Sequence, residues 1–512
     1  MTRDKGKTYI PDTNIAIDDT YFLQDFLKDK ENKVVLPDVV ISEINGLKKH
    51  PEVGYEARAF SDYLFTLLKD VKDIDSGISV PISLDGKISG GKLFFTNSYK
   101  IDENKDLLSY TTDIGFNDLQ IIRAAAVRKK KHPDEDVILV SNDKNVINVA
   151  KLNGIKAEYM RKDSADPSKL NKGYRLWRPD QKMFSDITVH GSKEIPVSGL
   201  DQGWTNELIA NQYVVLVNSE VQRAIEDSYK YAIKNVVKKP FQIEPKFVKR
   251  YDIHSDSLID IKYKNTPICG FSPRNIEQLL LMDQLLDNDM HIKVTRAEAG
   301  TGKSFLELLI ALHKTMQRRK EGKEDAKVYV VRRAIFMEEY GFLPGDIVDK
   351  NIPTYEGVAE NYRQIMKSAG GTAKAYAPLL SDALKEDNGL IELLPFGTIR
   401  GVTIGSNSIV IGEEWQNTEI KFSKIMMDRN SNGEVYLNGD TEQKDNPHTS
   451  LERNGLTYMA KRIQEISQNA RATRNELDMY DASIAGVMTL QHPERGIISL
   501  WSNRNLNSRS GR

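Results

Sequence analysis

The sequence has almost no cysteine: Cys269 stands alone among 512 residues. A disulfide framework and a cysteine-built zinc site are therefore excluded. An excess of one charge sign is also missing. Lys and Arg number 72 and Asp and Glu 73, so the formal net charge is −1 and the pI is ≈ 6.7. That balance excludes a general basic coat for nucleic acid but leaves room for local basic patches. No run approaches the ~18 apolar residues of a membrane span, so no membrane association is expected. MTRDKGKTYI at the N-terminus lacks the apolar stretch of a signal peptide. The expectation is a cytoplasmic protein of a reducing compartment. Apolar residues make up 39 % and charged residues 28 %, an ordinary globular composition. At roughly 150 residues per domain, the length predicts about three domains or two large ones.

Residues 1–160 alternate β-prone and helical runs. Lys7–Ile10, Val34–Leu36 and Val137–Val140 read as strands. A helix-like segment with Glu43 and Leu47 follows Pro37, and Glu56–Lys69 has helical spacing. Asn117 is placed to cap a helix with Leu119, Ile122 and Ala126 on one face, and a helix through Val146–Leu152 stops at Gly154. The alternation predicts a parallel α/β sheet. Residues 161–250 break it with Pro167, Pro179 and Pro196, and read as a linker with a small β element at Gln212–Val217. Alternation returns over 251–502, with helix Asn275–Leu286, strand Ile292–Thr295, a helix from Gly302, and strand-like runs at Val328–Val331, Ser408–Ile411 and Glu434–Leu437. Residues 503–512 read as a flexible tail.

TRAEAGTGKS, residues 295–304, lies between a strand and a helix and fits a phosphate-binding loop. Ala299, Gly300, Thr301 and Gly302 would turn backbone N–H groups toward a phosphate. Lys303 would set an ammonium on the β- and γ-phosphates and Ser304 a hydroxyl on Mg²⁺, and the helix N-terminus adds partial positive charge. Ala297 departs from the pattern, which has glycine there; its methyl is tolerable if φ is negative. IVIGEE, residues 409–414, supplies carboxylates at a strand end, Glu413 for the metal and Glu414 for the attacking water. Aspartate is usual at the first position, and the added methylene of Glu413 shifts the carboxylate by ~1.5 Å. NGDTEQ, residues 438–443, follows another strand, which would turn Asp440 and Gln443 to the γ-phosphate.

Together with SPRNIEQ 272–278, GFLPGD 341–346, Arg400-Gly401, EWQNT 414–418 and NGL 454–456, these motifs resemble the PhoH-like ATPases over roughly residues 250–500. Such proteins look like the first motor domain of superfamily 1 helicases. The resemblance implies a RecA-like P-loop fold, ATP as substrate, and Gln278 reading the adenine edge. Arginines complete such sites because charge develops on the γ-phosphate oxygens. Arg333, Arg429 and Arg495 are candidates, and Arg495 resembles a late family motif that acts on its own or a neighbouring subunit's site.

In the first domain, Asp12 follows the first strand and Glu43 lies on the helix after the second, while Asp118 opens a helix and Asp143 ends a strand. Singly, each reads as a cap or surface acid. Together they would converge on one sheet edge, an arrangement that is costly without a divalent metal. A metal so held generates hydroxide and stabilises in-line displacement at a phosphodiester. Asp12-Thr-Asn14, Pro37 with Glu43, Asn117-Asp118 and Ser141-Asn-Asp143 fall in the order of the PIN-domain ribonucleases, which residues 7–160 resemble. The resemblance implies that Asp12, Glu43, Asp118 and Asp143 hold Mg²⁺ or Mn²⁺, with Ser304 and Glu413 holding Mg²⁺ in the motor. It also implies support from Asn14, and a phosphate or water on Ser141 or Asn142. PIN followed by PhoH is itself a known architecture.

Tyr229–Arg250 carries seven Lys and Arg against one acid, with Tyr229, Tyr231, Phe241 and Phe247 as stacking candidates. Arg128–His132 is a second basic run. By resemblance the partners are single-stranded RNA and further copies of the chain, in a hexameric ring. The reading is an ATP-dependent RNA-processing enzyme. Its ATPase binds, moves along or unwinds RNA, and its PIN domain cuts RNA by metal-dependent hydrolysis. Ala297 and Glu413 prompt the alternative of a nucleotide-gated RNA-binding ring with weak or no turnover.

Overall fold

The computed structural model describes residues 6–29, 31–50, 53–81, 88–97, 108, 114–159, 165–189, 194–200, 203–234, 241–333, 356–368, 389–430, 432–440, 442–443, 445–446 and 449–494. GFLPGD 341–346, Arg495, the side chain of Tyr231 and the tail 503–512 lie outside the described residues. The chain divides into two compact units, Met1–Lys162 and Asp163–Arg512.

The first unit runs β1 (Lys7–Pro11), α1 (Thr13–Asp18), α2 (Phe22–Phe26), β2 (Lys33–Pro37), α3 (Asp38–Leu47), α4 (Gly54–Leu68), β3 (Lys92–Thr96), α5 (Phe116–Lys131), β4 (Asp136–Ser141), α6 (Lys144–Leu152) and β5 (Lys156–Tyr159). Its strands form a parallel sheet in the order β3-β2-β1-β4-β5. Val34, Val35 and Leu36 are all buried, as are Val137 to Val140. These continuous apolar runs are what a parallel sheet covered on both faces requires. The order reverses around β1, so the carboxyl ends of β1 and β4 flank a crevice of the kind where open α/β sheets place ligands.

The second unit contains two sheets. β6 (Tyr174–Trp177), β7 (Glu194–Pro196), β8 (Tyr213–Leu216), β9 (Val248–Asp252) and β10 (Ser257–Asp260) make a mixed sheet in the order β6-β8-β9-β10-β7. Helices α7 (Gln181–Val189) and α8 (Ser219–Lys234) accompany it. The larger sheet is parallel, in the order β13-β12-β14-β15-β11-β16. It comprises β11 (Ile292–Ala297), β12 (Val328–Arg332), β13 (Ile391–Pro395), β14 (Ile409–Glu413), β15 (Glu434–Gly439) and β16 (Ala485–Leu490). Around it lie α9 (Ile276–Leu286), α10 (Lys303–Lys320), α11 (Glu356–Ser368), α12 (Ile420–Arg429) and α13 (Gly455–Thr473).

The segment 161–250, expected as a linker, is structured differently. Tyr213 to Leu216, Phe247 and Val248 share one continuous apolar core with Leu279 to Leu281 of α9 and Leu308 to Ala311 of α10. Burying that face against the α9 and α10 surface makes the mixed sheet part of the second unit rather than a tether. Among the described residues no helix is long and apolar enough to cross a membrane.

Candidate functional site

In the first unit, the end of β1 delivers Asp12 to the crevice. Asp12 is 3 % exposed and caps α1, accepting from the Thr13 N–H at 2.6 Å. The Ser141 hydroxyl (2.5 Å) and the Asn14 amide (2.6 Å) also donate to it. Glu43 on α3 accepts from the Thr13 hydroxyl and from the Asn117 amide at 2.8 Å. Asp143 caps α6 by accepting from Asn145 N–H at 2.6 Å. Burial pushes the Asp12 carboxyl up to about 6, with Asp118 and Glu43 adding to the rise and the Ser141 bond opposing it. Asp118 is raised in the same way, first by burial and then by Glu43 and Asp143. Glu43 and Asp143 are thus close enough to repel Asp118, and Asp118 and Glu43 to repel Asp12. All their donors to a ligand are carboxylate oxygens, the set that suits a hard cation such as Mg²⁺ or Mn²⁺. Among the described residues, no three His, Cys, Asp or Glu side chains stand at metal-holding distance of one another.

In the second unit, the loop after β11 has Gly300 at φ 82° and Gly302 at φ 93°. That left-handed backbone is what only glycine adopts freely, and it turns N–H groups inward ahead of α10. Ala297 closes β11 in extended pairing with Leu490 and is not among the positive-φ residues, so its methyl is accommodated. Lys303 Nζ stands 3.8 Å from Glu414 Oε1. The Ser304 hydroxyl lies near enough to Glu413 to favour its ionised form. Burial raises the Glu413 carboxyl, while Arg332, Lys303 and the Ser304 hydroxyl pull it down and Glu414 pushes it up. Asp440 is raised chiefly by burial and is tied into its own turn by the Glu442 N–H at 2.8 Å. Beside the loop lies a cleft of ≈ 280 Å³ lined by Phe271, Gln278, Gly302, Lys303, Ser304 and Phe305, with Asn361 and Gln364 of α11 on its far side. Phosphate groups, an Mg²⁺ ion and a base have complementary walls here.

Residues 9–161 match the family described as PIN domain, and residues 271–484 match the family described as PhoH-like protein. The chain carries an N-terminal PIN domain and a C-terminal PhoH domain. It is similar to Protein PhoH2 of Bacillus subtilis, 25 % identical over 92 % of this chain and 97 % of that protein. It is likewise similar to Protein PhoH2 of Thermobispora bispora, 25 % identical over 86 % of each chain. Protein PhoH of Escherichia coli is 30 % identical over 33 % of this chain and 43 % of that protein. A nuclease-type domain is therefore fused to a P-loop ATPase-type domain.

Not every residue expected at the two sites reaches them. Asn117 does not cap its helix; Gly115 does, and Asn117 in the first turn of α5 holds Glu43 instead. Gln278 spends its amide on the PhoH backbone, accepting from Arg274 N–H (2.9 Å) and donating to Thr301 C=O (2.9 Å). It fastens the phosphate loop to α9 while lining the cleft. Arg333 pairs with Glu419 at 3.1 Å and lies over Phe396. Arg429 ends α12, where its carbonyl accepts from Ile404 N–H beside the start of β14, at the opposite end of the strands from Lys303. Gln443 is exposed in the turn after Asp440.

The two basic runs are also redirected. Lys249 and Arg250 are buried in β9, paired with Asp260 and Asp287. Phe241 and Phe247 are core residues, and Tyr229 stacks on His492 with ring centroids 3.5 Å apart. In the PIN domain, Arg128 and Lys33 both pair with Glu135 and hold its carboxyl down at about 2.

Several residues make contacts at the sites that the sequence does not assign. Thr13 and Asn117 lie in the Asp12-Thr-Asn14 and Asn117-Asp118 motifs, but their contacts to Glu43 are ones that only the fold brings together. Glu307 on α10 is fully buried, burial raises it to about 7, and the Asn438 amide donates to it at 2.5 Å. Gln416 likewise lies in a motif, EWQNT. Its amide N–H donates to Glu414 Oε2 at 2.6 Å and its oxygen accepts from Asp440 N–H at 3.1 Å.

Proposed function

We propose that this is an ATP-dependent RNA-processing enzyme, in which the PhoH domain hydrolyses ATP to bind, move along or unwind single-stranded RNA and the PIN domain cleaves it. The observation that carries the reading is the constellation around Lys303. The Lys303 ammonium, the Ser304 hydroxyl and the Glu413 and Glu414 carboxylates gather at the mouth of a glycine-turned loop. Phosphoryl transfer needs mainly positioning and charge stabilisation, and these groups supply both. Lys303 holds the β- and γ-phosphates, Ser304 and Glu413 address Mg²⁺, and Glu414 orients the water.

In the PIN domain, Asp12, Glu43, Asp118 and Asp143 would hold Mg²⁺ or Mn²⁺, which supplies Lewis-acid activation of water at a phosphodiester. Asn14 and Ser141 fix the Asp12 carboxylate, and Thr13 and Asn117 fix Glu43. A hexameric ring and a cytoplasmic setting belong to the same proposal, on likeness to the PhoH-type ATPases.

The test is steady-state ATP hydrolysis with and without single-stranded RNA, beside Lys303→Ala, followed by RNA cleavage beside Asp12→Asn. Matched DNA strands establish which nucleic acid is the substrate. RNA-stimulated hydrolysis lost in Lys303→Ala, and cleavage lost in Asp12→Asn, are the expected results. Tight ATP binding with no turnover above Lys303→Ala overturns the motor. Glu413 favours that second reading, a nucleotide-gated RNA-binding ring: it replaces the usual aspartate and burial raises its carboxyl.

A further inference from the structure

Lys249, Arg250 and Arg128, cations of the two basic stretches that the sequence offers to RNA, are held in ion pairs, so a further surface is sought for the phosphate backbone. We propose that a groove between segment 165–175 and α13 is the track for single-stranded RNA on the PhoH-bearing unit. The proposal rests on the RNA reading above and locates it.

The groove has a volume of ≈ 440 Å³ and is lined by Lys169, Lys172 and Arg175 on one side and by Gln464 and Gln468 of α13 on the other. Lys172 also lines an adjoining hollow of ≈ 220 Å³ that reaches Ala297, at the root of the phosphate loop. Three cations recur at three-residue spacing along one wall, and amides face them. Cations suit phosphates, and amides suit sugar hydroxyls and base edges. An open groove that sets three cations against one carboxylate, Glu207, fits a polyanion rather than a single small anion.

The cations are available for this purpose. Lys169 is exposed and enters no ion pair among the described residues. Lys172 Nζ donates to the neutral Gln491 amide at 2.8 Å. Arg175 pairs with Glu207 at 2.8 Å, but Glu207 is 71 % exposed, and such a surface pair is weak enough to exchange for phosphate.

They are also held in place. Arg296, 3 % exposed, donates to the carbonyls of Pro167 (2.9 Å) and Asn171 (2.7 Å) and to the Thr489 hydroxyl (2.8 Å). No carboxylate pairs with it among the described residues. Burial without a counter-charge pushes its guanidinium down to about 10. Gly173 follows at φ 82°, packed so closely on β16 that a Cβ would lie 1.8 Å from the Val487 carbonyl oxygen. A buried arginine at the end of β11 and a glycine on β16 thus clamp the segment that presents Lys169 and Lys172.

This wall also joins the nucleotide cleft. Gln491, the partner of Lys172, donates its N–H to Glu277 Oε2 at 2.8 Å. Glu277 precedes Gln278, which holds the Thr301 carbonyl of the phosphate loop. Glu494 N–H bonds the Gly300 carbonyl at 2.7 Å. RNA in the groove would therefore bear on the chain that braces the loop.

The test uses the full chain and a fluorescein-labelled oligouridylate, with binding followed by anisotropy over a range of salt concentrations. Lys169→Glu with Lys172→Glu is expected to weaken binding at least about tenfold. Neutral Lys169→Gln with Lys172→Gln is expected to lower the slope of log K against log salt by about 1.4, at ~0.7 per lost single-strand phosphate contact. Lys69→Glu with Lys72→Glu, the same charge change on exposed PIN-domain lysines outside both basic runs, is expected to keep the wild-type affinity and slope. A glutamine variant with the wild-type slope, or a control that loses as much, overturns the groove while leaving RNA binding intact. Absence of salt-sensitive RNA binding in the wild-type chain overturns the RNA reading itself, and the groove with it.

Discussion

At the strand ends of the PIN domain, Asp12 and Glu43 are satisfied by neutral donors: one backbone N–H, two hydroxyls and two amides. At the strand ends of the PhoH domain, Lys303 stands beside Glu414, and the charges of Lys303 and Arg332 bear on Glu413. Both crevices gather carboxylates where parallel strands end, yet only the second brings cations of its own. On the proposed function, the PhoH crevice suits an anion that arrives with its metal, as MgATP does. In the PIN crevice, among the described residues, no Lys or Arg is paired with the four acids, so their repulsion is left for protons or a divalent cation to relieve.

Removing the cation from the second crevice is the sharpest way to break this comparison. Lys303→Ala is expected to lower ATP hydrolysis by about 10²–10³-fold, since it removes the charge facing the transferred phosphoryl group. Steady-state phosphate release measures it. A loss below about threefold would mean that Lys303 does not face the γ-phosphate.

Removing an anion from the first crevice should do two opposite things. Asp12→Asn is expected to lower RNA cleavage about 10²-fold, because a neutral amide holds a hard cation poorly. The same change should stabilise the chelator-treated protein near neutral pH by about 1–3 kcal/mol, because an ionised Asp12 is unfavourable in its buried place. The sign follows from the pKa. Asp12 rises from 3.8 to about 6 on folding. Between those values the folded state holds more protons than the unfolded state, so this group's contribution to stability falls as pH rises through that window. Protons compete with the cation over the same range, so metal affinity and cleavage should climb from pH 5 to 7 with a midpoint near 6. Calorimetric melting with and without chelator, in wild type and variant, checks both halves.

Gln416 sharpens the comparison inside the PhoH domain. It joins Glu414 to the Asp440 backbone, and a Cβ on Gly439 would lie 2.0 Å from its oxygen, so the glycine makes room for this bridge. Gln416→Ala is expected to lower kcat about tenfold with little change in KM for ATP, the pattern of a lost positioning contact. Conservative Gln416→Glu sets a like charge beside Glu414 and should not rescue the rate.

What the sequence made legible were the places where local backbone and chemistry coincide. Asp12 and Asp143 follow strands and cap helices, and the glycines of residues 300–302 announce their own turn. The segment 161–250 was not legible, because its meaning is set by distant partners. β9 has both faces covered, since successive strand residues point to opposite sides. Lys249 and Arg250 are therefore buried together, and their partners Asp260 and Asp287 lie 11 and 37 residues away. Composition cannot distinguish such paired, buried cations from a solvated basic face. Arg429 failed for the complementary reason. Its place at a helix end is local, but which end of the sheet that helix end reaches is decided by topology.

The smallest expected effect is also the one that weighs turnover against mere binding. Glu413 is 7 % exposed, near the Ser304 hydroxyl and within reach of the charges of Arg332 and Lys303. Glu413→Asp retracts the carboxylate by ~1.5 Å, enough to admit a water between it and the metal position but not to remove the charge. If the native site turns over, hydrolysis should fall by no more than about threefold, because the metal keeps a carboxylate at one remove. A rise of about tenfold or more would show that the longer side chain restrains hydrolysis, and the nucleotide-gated ring would become the better account. The discriminating quantity is kcat rather than affinity, since a binding device and a slow motor both hold ATP and differ only in how fast they release phosphate.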